Sequence, residues 1–176
     1  KKGEVYFIPA RAVHAIGYGC LILEIQEPTD FTIQPEAWCD DYRLNDYEMY
    51  MGLDKEIALS CFDMSICGKD AIELSKVRPE VLSKKNNVTV RSLIDNRKTD
   101  CFTVNSISID SGSTMLEQGP AIYFVTEGNG SVSYGKNTQP VKKGDYFLLP
   151  YCIKGQCTLS SDENITVIEC FKGGMS

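Results

Sequence analysis

The 176-residue sequence predicts a mainly all-β protein, a small antiparallel barrel or jelly roll with a short helical insert. Three observations carry that prediction. A pattern of Lys, Lys, Gly, an acid, four apolar residues and Pro occurs twice at a constant offset of 141, as KKGEVYFIP at 1–9 and KKGDYFLLP at 142–150. Each copy is followed by a second apolar run holding one glutamate, CLILEIQ at 20–26 and ITVIECF at 165–171. Residues 100–171 are also dense in short β-type runs separated by Gly, Asn and Asp.

Taken in order, the first copy of the repeat reads as a turn and a short buried strand that stops at proline. It has no strands before it. Residues 1–19 therefore read as the tail of a β-barrel whose earlier strands belong to a longer chain or come from a partner; the longer chain is favoured, because half a barrel leaves an open edge. The next texture is helical. LNDYEMYMGLDKEIALSCF at 44–62 carries Asp54 as an N-cap, with Ile57/Cys61 and Ala58/Phe62 at i,i+4 spacing, and predicts a helix or two. Residues 65–98 hold a further short helix and the polar stretch SKKNN, read as a loop. The second copy has a full run-up of strands, CFTVNSISID, AIYFVTEGNGSVSYG and KKGDYFLLP, and makes a barrel of its own. The expected boundaries are 1–40 for the tail of the first barrel, 41–98 for a helical connector and 99–172 for the second barrel.

Charge and composition exclude several partners. A formal net charge of −6 argues against nucleic acid, which selects basic faces, and against an electrostatic hold on anionic membranes. No apolar run reaches the roughly 18–20 residues of a membrane span, and Glu4, Arg11 and His14 interrupt the early apolar stretch where a signal peptide would lie. A soluble, cytoplasmic protein is expected. The eight cysteines form no CxxC and fit no standard zinc spacing, so reduced, mostly buried thiols are expected, with Cys20, Cys101, Cys157 and Cys170 inside strand-like runs.

The sole histidine sits in HAIGYGCLILE. Read as a hairpin with a Gly17-Tyr18-Gly19 loop, this stretch pairs Ile16 with Cys20, His14 with Ile22 and Ala12 with Glu24. His14, Glu24 and Gln26 then share one sheet face, with Leu21, Leu23 and Ile25 on the other. An imidazole and a carboxylate inside a barrel suit a metal ligand with a nearby acid/base. A hydrogen-bonded structural histidine and a solvated glutamate suit the same spacing. One His and one Glu do not make a zinc site, which takes three or four protein ligands.

The residues carry more than geometry. GEVYFIPARAVHAIG at Gly3–Gly17, LILEIQ at Leu21–Gln26 and the segment Asp30–Trp38 resemble type I phosphomannose isomerase (mannose-6-phosphate isomerase), a bicupin family. That family shows a G-D-hydrophobic-hydrophobic-hydrophobic-I-P-A-x-x-V-H-A-I-G block, then L-I-x-E-I-Q, then a D-T-T-like segment ending near Trp. The resemblance covers nearly the whole chain, as the C-terminal part of the family's length. It implies two cupins, or double-stranded β-helix jelly rolls, with the helical insert between them and metal ligands in the first alone.

Residue by residue, the resemblance implies that His14 is the last of four zinc ligands, the other three (Gln, His and Glu) having no counterpart here. It implies one zinc ion per complete chain. Glu24 matches the glutamate that lines the sugar site. The family's active-site arginine follows ten residues later in a Y-R-L-Y-D-W-type segment, and gapless counting from Glu24 puts Gln34 at that position. An amide cannot supply the fixed charge a guanidinium offers an enediolate or phosphate. Arg43 lies beyond this segment. At the repeat offset His14 corresponds to Gly155, so the second cupin reads as a structural partner. The implied activity of the complete protein is zinc-dependent interconversion of mannose 6-phosphate and fructose 6-phosphate through a cis-enediol, by a monomer or homodimer acting on a small sugar phosphate. Two alternatives stand beside it: an isomerase of another sugar or sugar phosphate, and a non-catalytic sugar-binding or regulatory bicupin.

Overall fold

Burial alternates residue by residue along the end of the chain, which is why this segment is sheet. Cys157, Leu159, Ser161, Ile165, Val167 and Glu169 are buried, while Thr158, Ser160, Thr166 and Ile168 between them are partly exposed. In the computed structural model of the protein, residues 1–27, 31–65 and 67–173 are described. Their elements are β1 (Val5–Tyr6), β2 (Trp38–Cys39), β3 (Tyr42–Arg43), α1 (Asp46–Tyr50), α2 (Lys55–Ser60), α3 (Gly68–Ser75) and β4 (Lys76–Val77). There follow β5 (Glu80–Lys85), β6 (Val88–Ile94), β7 (Phe102–Ile109), β8 (Gly112–Leu116), β9 (Ala121–Tyr134), β10 (Asn137–Lys142), β11 (Tyr146–Leu149), β12 (Cys157–Ser161) and β13 (Ile165–Lys172). They fall into two units, one of Lys1–Phe7 with Val77–Ser176 and one of Ile8–Lys76. Among the described residues no helix is long and apolar enough to cross a membrane.

The first unit is a nine-stranded antiparallel sheet ordered β5-β6-β7-β13-β9-β12-β8, with β10 and β11 also on β9. The 14-residue β9 makes the curl. Its first half pairs with β11 and β13, and its second half with β10 and β12. The change of partners falls at Gly128, whose φ is +72, beside a register shift at Thr166/Val167. Such a bulge bends a strand and lets a sheet close on itself. The core inside holds Leu116, Tyr123, Val125, Leu149, Leu159, Ile165 and Val167, all buried. Each such side chain contributes roughly 1.5–3 kcal/mol on leaving water. This is the mainly-β jelly roll that the strand spacing led us to expect, of the cupin type that the resemblance implies.

The two copies of the repeat fold alike where they turn. Glu4 N–H donates to Lys1 O at 3.1 Å, and Asp145 N–H to Lys142 O at 2.9 Å. The glycine of each turn has positive φ, +80 at Gly3 and +95 at Gly144, which is the reason for the shared Lys-Lys-Gly-acid spelling. The acid closes the loop in both. The Lys1 backbone nitrogen donates to Glu4 Oε2 at 2.7 Å, and the Lys142 amide donates to Asp145 Oδ2 at 2.9 Å. The strands that follow are β1 and β11.

Three expectations need correction. SKKNN is not a loop: Ser83, Lys84 and Lys85 belong to β5, and Asn86-Asn87 is a hairpin turn with both residues at positive φ. Lysines on this outermost strand are compatible with sheet because an edge strand keeps one side in water. The sheet therefore begins at Glu80, inside the stretch assigned to the connector. The thiols are free but not mostly buried: Cys157 is buried and Cys170 half-buried, while Cys20, Cys39, Cys61, Cys67, Cys101 and Cys152 are exposed. Finally, 20–26 is not a strand in the described structure. A strand is held by a ladder, and among the described residues none is paired with it.

The second unit is small and helical. Asn45 caps α1 through a capping box with Glu48, accepting from Glu48 N–H at 3.0 Å while Glu48 Oε2 accepts from Asn45 N–H at 2.9 Å. Asp54 caps α2 as expected, accepting from Glu56 N–H at 2.9 Å. Met49, Tyr50 and Ala58 are the buried residues of this unit's small core.

Candidate functional site

The block that contains the histidine is irregular backbone held by a few contacts. Ala12 N–H donates to Pro9 O at 3.2 Å, and Arg11, at φ +74, turns the chain. Arg11 Nε donates to Cys61 O at 2.9 Å, and Asp63 N–H donates to Arg11 O at 2.9 Å, tying the block to the end of α2. His14 is exposed, with Nδ1 2.9 Å from Ala12 O. A ring held in this way donates from Nδ1 and leaves Nε2 as the free, lone-pair-bearing nitrogen. That is the form a metal ligand takes.

Glu24 and Gln26 are exposed, on the unpaired stretch 20–26. The expected pairing of His14 with Ile22 and of Ala12 with Glu24 is not formed among the described residues; the loop is closed by Cys20 N–H donating to Gly17 O at 3.3 Å. Apolar side chains that a barrel would cover stand open beside them, with Leu21 at 98% and Ile16 at 58% exposure. Asp30, which opens the Asp30–Trp38 segment, lies outside the described residues. Gln34 is exposed, and its amide N–H donates to Met49 O at 2.9 Å, so its backbone anchors the segment to α1.

Among the described residues no three of His, Cys, Asp and Glu are grouped to hold a metal. The donors present near His14 therefore do not fit a zinc ion by themselves.

Sequence reasoning set Arg43 beyond the arginine segment. It stands in Tyr42-Arg43-Leu44-Asn45-Asp46, which spells Y-R-L-x-D and so matches the family's arginine segment letter for letter at four positions. The Ile33-Gln34-Pro35 selected by gapless counting matches none. An insertion between Glu24 and this segment would bring Arg43 to the position that gapless counting gives to Gln34. Arg43 is exposed on β3, opposite Trp38 on β2, and β3 runs directly into the capping box of α1. Tyr42 Oη donates to Glu48 Oε1 at 2.9 Å, fixing the start of the segment and raising the phenol's pKa.

The second barrel buries the one glutamate of the apolar run 165–171. Glu169 is 4% exposed on β13 and lies between Asn105 on β7 and Tyr123 on β9, its partners in register on either side. Gly155, the counterpart of His14, is a turn residue at φ +67 whose N–H donates to Leu116 O at 3.0 Å.

No family model matches the chain. It is 31% identical to the mannose-6-phosphate isomerase ManA of Bacillus subtilis over 156 residues, 86% of this chain and 44% of that protein. It is 28% identical over 167 residues to a second B. subtilis protein, YvyI, named as a putative mannose-6-phosphate isomerase, covering 90% of this chain and 48% of that one. A crystal structure of the B. subtilis mannose 6-phosphate isomerase superposes with a TM-score of 0.51 at 22% identity, over 73% of this chain and 37% of the other. The chain spans about half the length of the curated relatives it matches. It is thus a relative of the mannose-6-phosphate isomerases, sharing their cupin fold over the part that can be compared.

Proposed function

We propose that the protein to which this chain belongs is an aldose-ketose isomerase that interconverts mannose 6-phosphate and fructose 6-phosphate in the cytoplasm. The observation that carries this reading is the similarity to two B. subtilis proteins of that name over nearly all of this chain, joined to the unbroken block Gly3–Gly17 around His14. The reaction moves a proton between C1 and C2, which calls for a carboxylate or imidazole within reach of both carbons. Glu24 is the carboxylate proposed to line the sugar. Arg43, rather than Gln34, is proposed to supply the fixed positive charge for an enediolate or phosphate oxygen.

Zinc dependence belongs to this reading, with His14 as one ligand through its free Nε2. The described residues do not complete such a site, and no step through a metal is derived from them. In the proposed arrangement the remaining ligands and the strands that pair with 12–26 come from parts of the protein outside this sequence. They would cover Ile16, Leu21 and Leu23.

The test is a coupled assay of the full-length protein on mannose 6-phosphate, run beside elemental analysis of zinc per chain. Turnover with about one zinc per chain supports the reading. Turnover on another sugar phosphate alone would move it to an isomerase of different specificity. Sugar binding without turnover would leave a non-catalytic bicupin.

A further inference from the structure

The hydrogen bonds around Glu169 can be counted, and one protonation state makes all of them within the protein. Tyr123 Oη lies 2.7 Å from Glu169 Oε1 and 3.2 Å from the Gln118 carbonyl oxygen. A phenol has one proton, and both neighbours are acceptors when Glu169 is ionised, so one of the two bonds is then lost. Asn105 Nδ2 donates to Glu169 Oε2 at 3.0 Å and accepts nothing in that contact. If Glu169 is protonated on Oε1, every group is satisfied. Its O–H donates to Tyr123 Oη, the Tyr123 O–H donates to Gln118 O, and Oε2 accepts from Asn105. Buried polar groups are satisfied as a rule, and leaving one open costs more than a bond contributes.

We propose that Glu169 is held as a neutral carboxylic acid that donates to Tyr123, leaving the Tyr123 hydroxyl to grip Gln118, so that its protonation state sets how firmly the turn 117–120 is held to the barrel. The groups that face this relay agree. On β7 the neighbour is the uncharged Asn105, on β9 Tyr123, and on β12 the Cys157 thiol near Tyr123. Beside Glu169 on its own strand is Cys170, another neutral thiol. None is a cation. On the turn side the charged groups are Glu117 and Lys154, both exposed. Burial pushes the Glu169 carboxyl and the Tyr123 phenol upward, in the same direction as the count. The turn packs closely as well, with Gly119 against Leu149, Pro150 and Lys154, so loosening it would disturb the barrel mouth.

The test is a carboxyl-carbon NMR titration of the full-length protein with hydrogen exchange at Gln118 and Gly119. Glu169 is expected to titrate above the ordinary carboxylate range. Exchange of the two amides should rise about fivefold to tenfold as it ionises, the worth of one net hydrogen bond. Glu169→Gln reproduces the neutral acid, with its amide N–H donating to Tyr123, and should abolish the pH dependence of exchange. Tyr123→Phe should raise exchange at all pH values. An ordinary Glu169 titration overturns the proposal, and that measurement needs no variant to fold. Exchange at the turn that ignores the Glu169 titration overturns it equally.

Discussion

Lys2 pairs with Glu127 on β9, and Lys143, its equivalent in the second copy of the repeat, lies beside the same carboxylate. Two lysines from positions 141 apart in sequence thus serve one acid. The hydrogen bond and charge of Lys2, with Lys143 adding to them, hold the Glu127 carboxyl below its ordinary range. A group with a depressed folded value contributes stability above its unfolded value and loses it as pH falls through the folded one. Glu127→Gln is therefore expected to lower thermal stability slightly at neutral pH and not at all below the carboxylate range. The difference should vanish in high salt, because the pair is open to solvent. Melting curves at two pH values and two salt concentrations check this.

Gly128 sits where β9 changes partners, and a methyl group there would overlap the Asn164 carbonyl. Its backbone is also in the left-handed region, at φ +72. Gly128→Ala meets both penalties, and the combined cost is expected to be roughly 2–4 kcal/mol. Gly135→Ala is the control: φ is +57 but the space is open, so only the backbone penalty of about 1 kcal/mol applies. Denaturant unfolding of the two variants separates the close approach from the backbone strain.

What was legible in the sequence was whatever is local. The Lys-Lys-Gly-acid turns, the Asp54 cap and the strand density of the second barrel all express short-range spacing, and all are found. Asn45 is equally local, an Asn-x-x-Glu box that caps α1. Long-range register was not. Asn105, Glu169 and Tyr123 meet only because β7, β13 and β9 align in one register, and each alone resembles an ordinary strand residue. The apolar run 20–26 shows the converse, since strand propensity without a facing strand makes no ladder. SKKNN was read by polarity, which at a sheet edge says nothing against a strand.

The capping box at Asn45 positions more than a helix end. It follows Arg43 by two residues, and Glu48 of the same box accepts from Tyr42 Oη. Asn45→Ala is expected to cost about 1 kcal/mol in the stability of its unit. If Arg43 acts on substrate, the same change should also lower turnover in the full-length protein more than that stability loss accounts for. Activity measured well below the melting temperature distinguishes the two effects.

Arg43 and Gln34 make opposite predictions about which position carries the charge. Gln34 is engaged through its backbone, donating N–H to Met49 O, and its side chain is exposed. Replacing that side chain by alanine should leave kcat/KM within about twofold, since no charge is removed. Arg43→Gln removes a guanidinium that the proposed reaction uses against an oxyanion. A lost charge-assisted contact of about 2–3 kcal/mol corresponds to a fall in kcat/KM of about thirtyfold to more than a hundredfold. Lysine at position 43 should recover part of this loss and not all, because it keeps the charge without the planar fork. If Gln34→Ala proves the more damaging change, the arginine segment has been placed wrongly, and the sugar site takes its recognition from the loop that precedes β2.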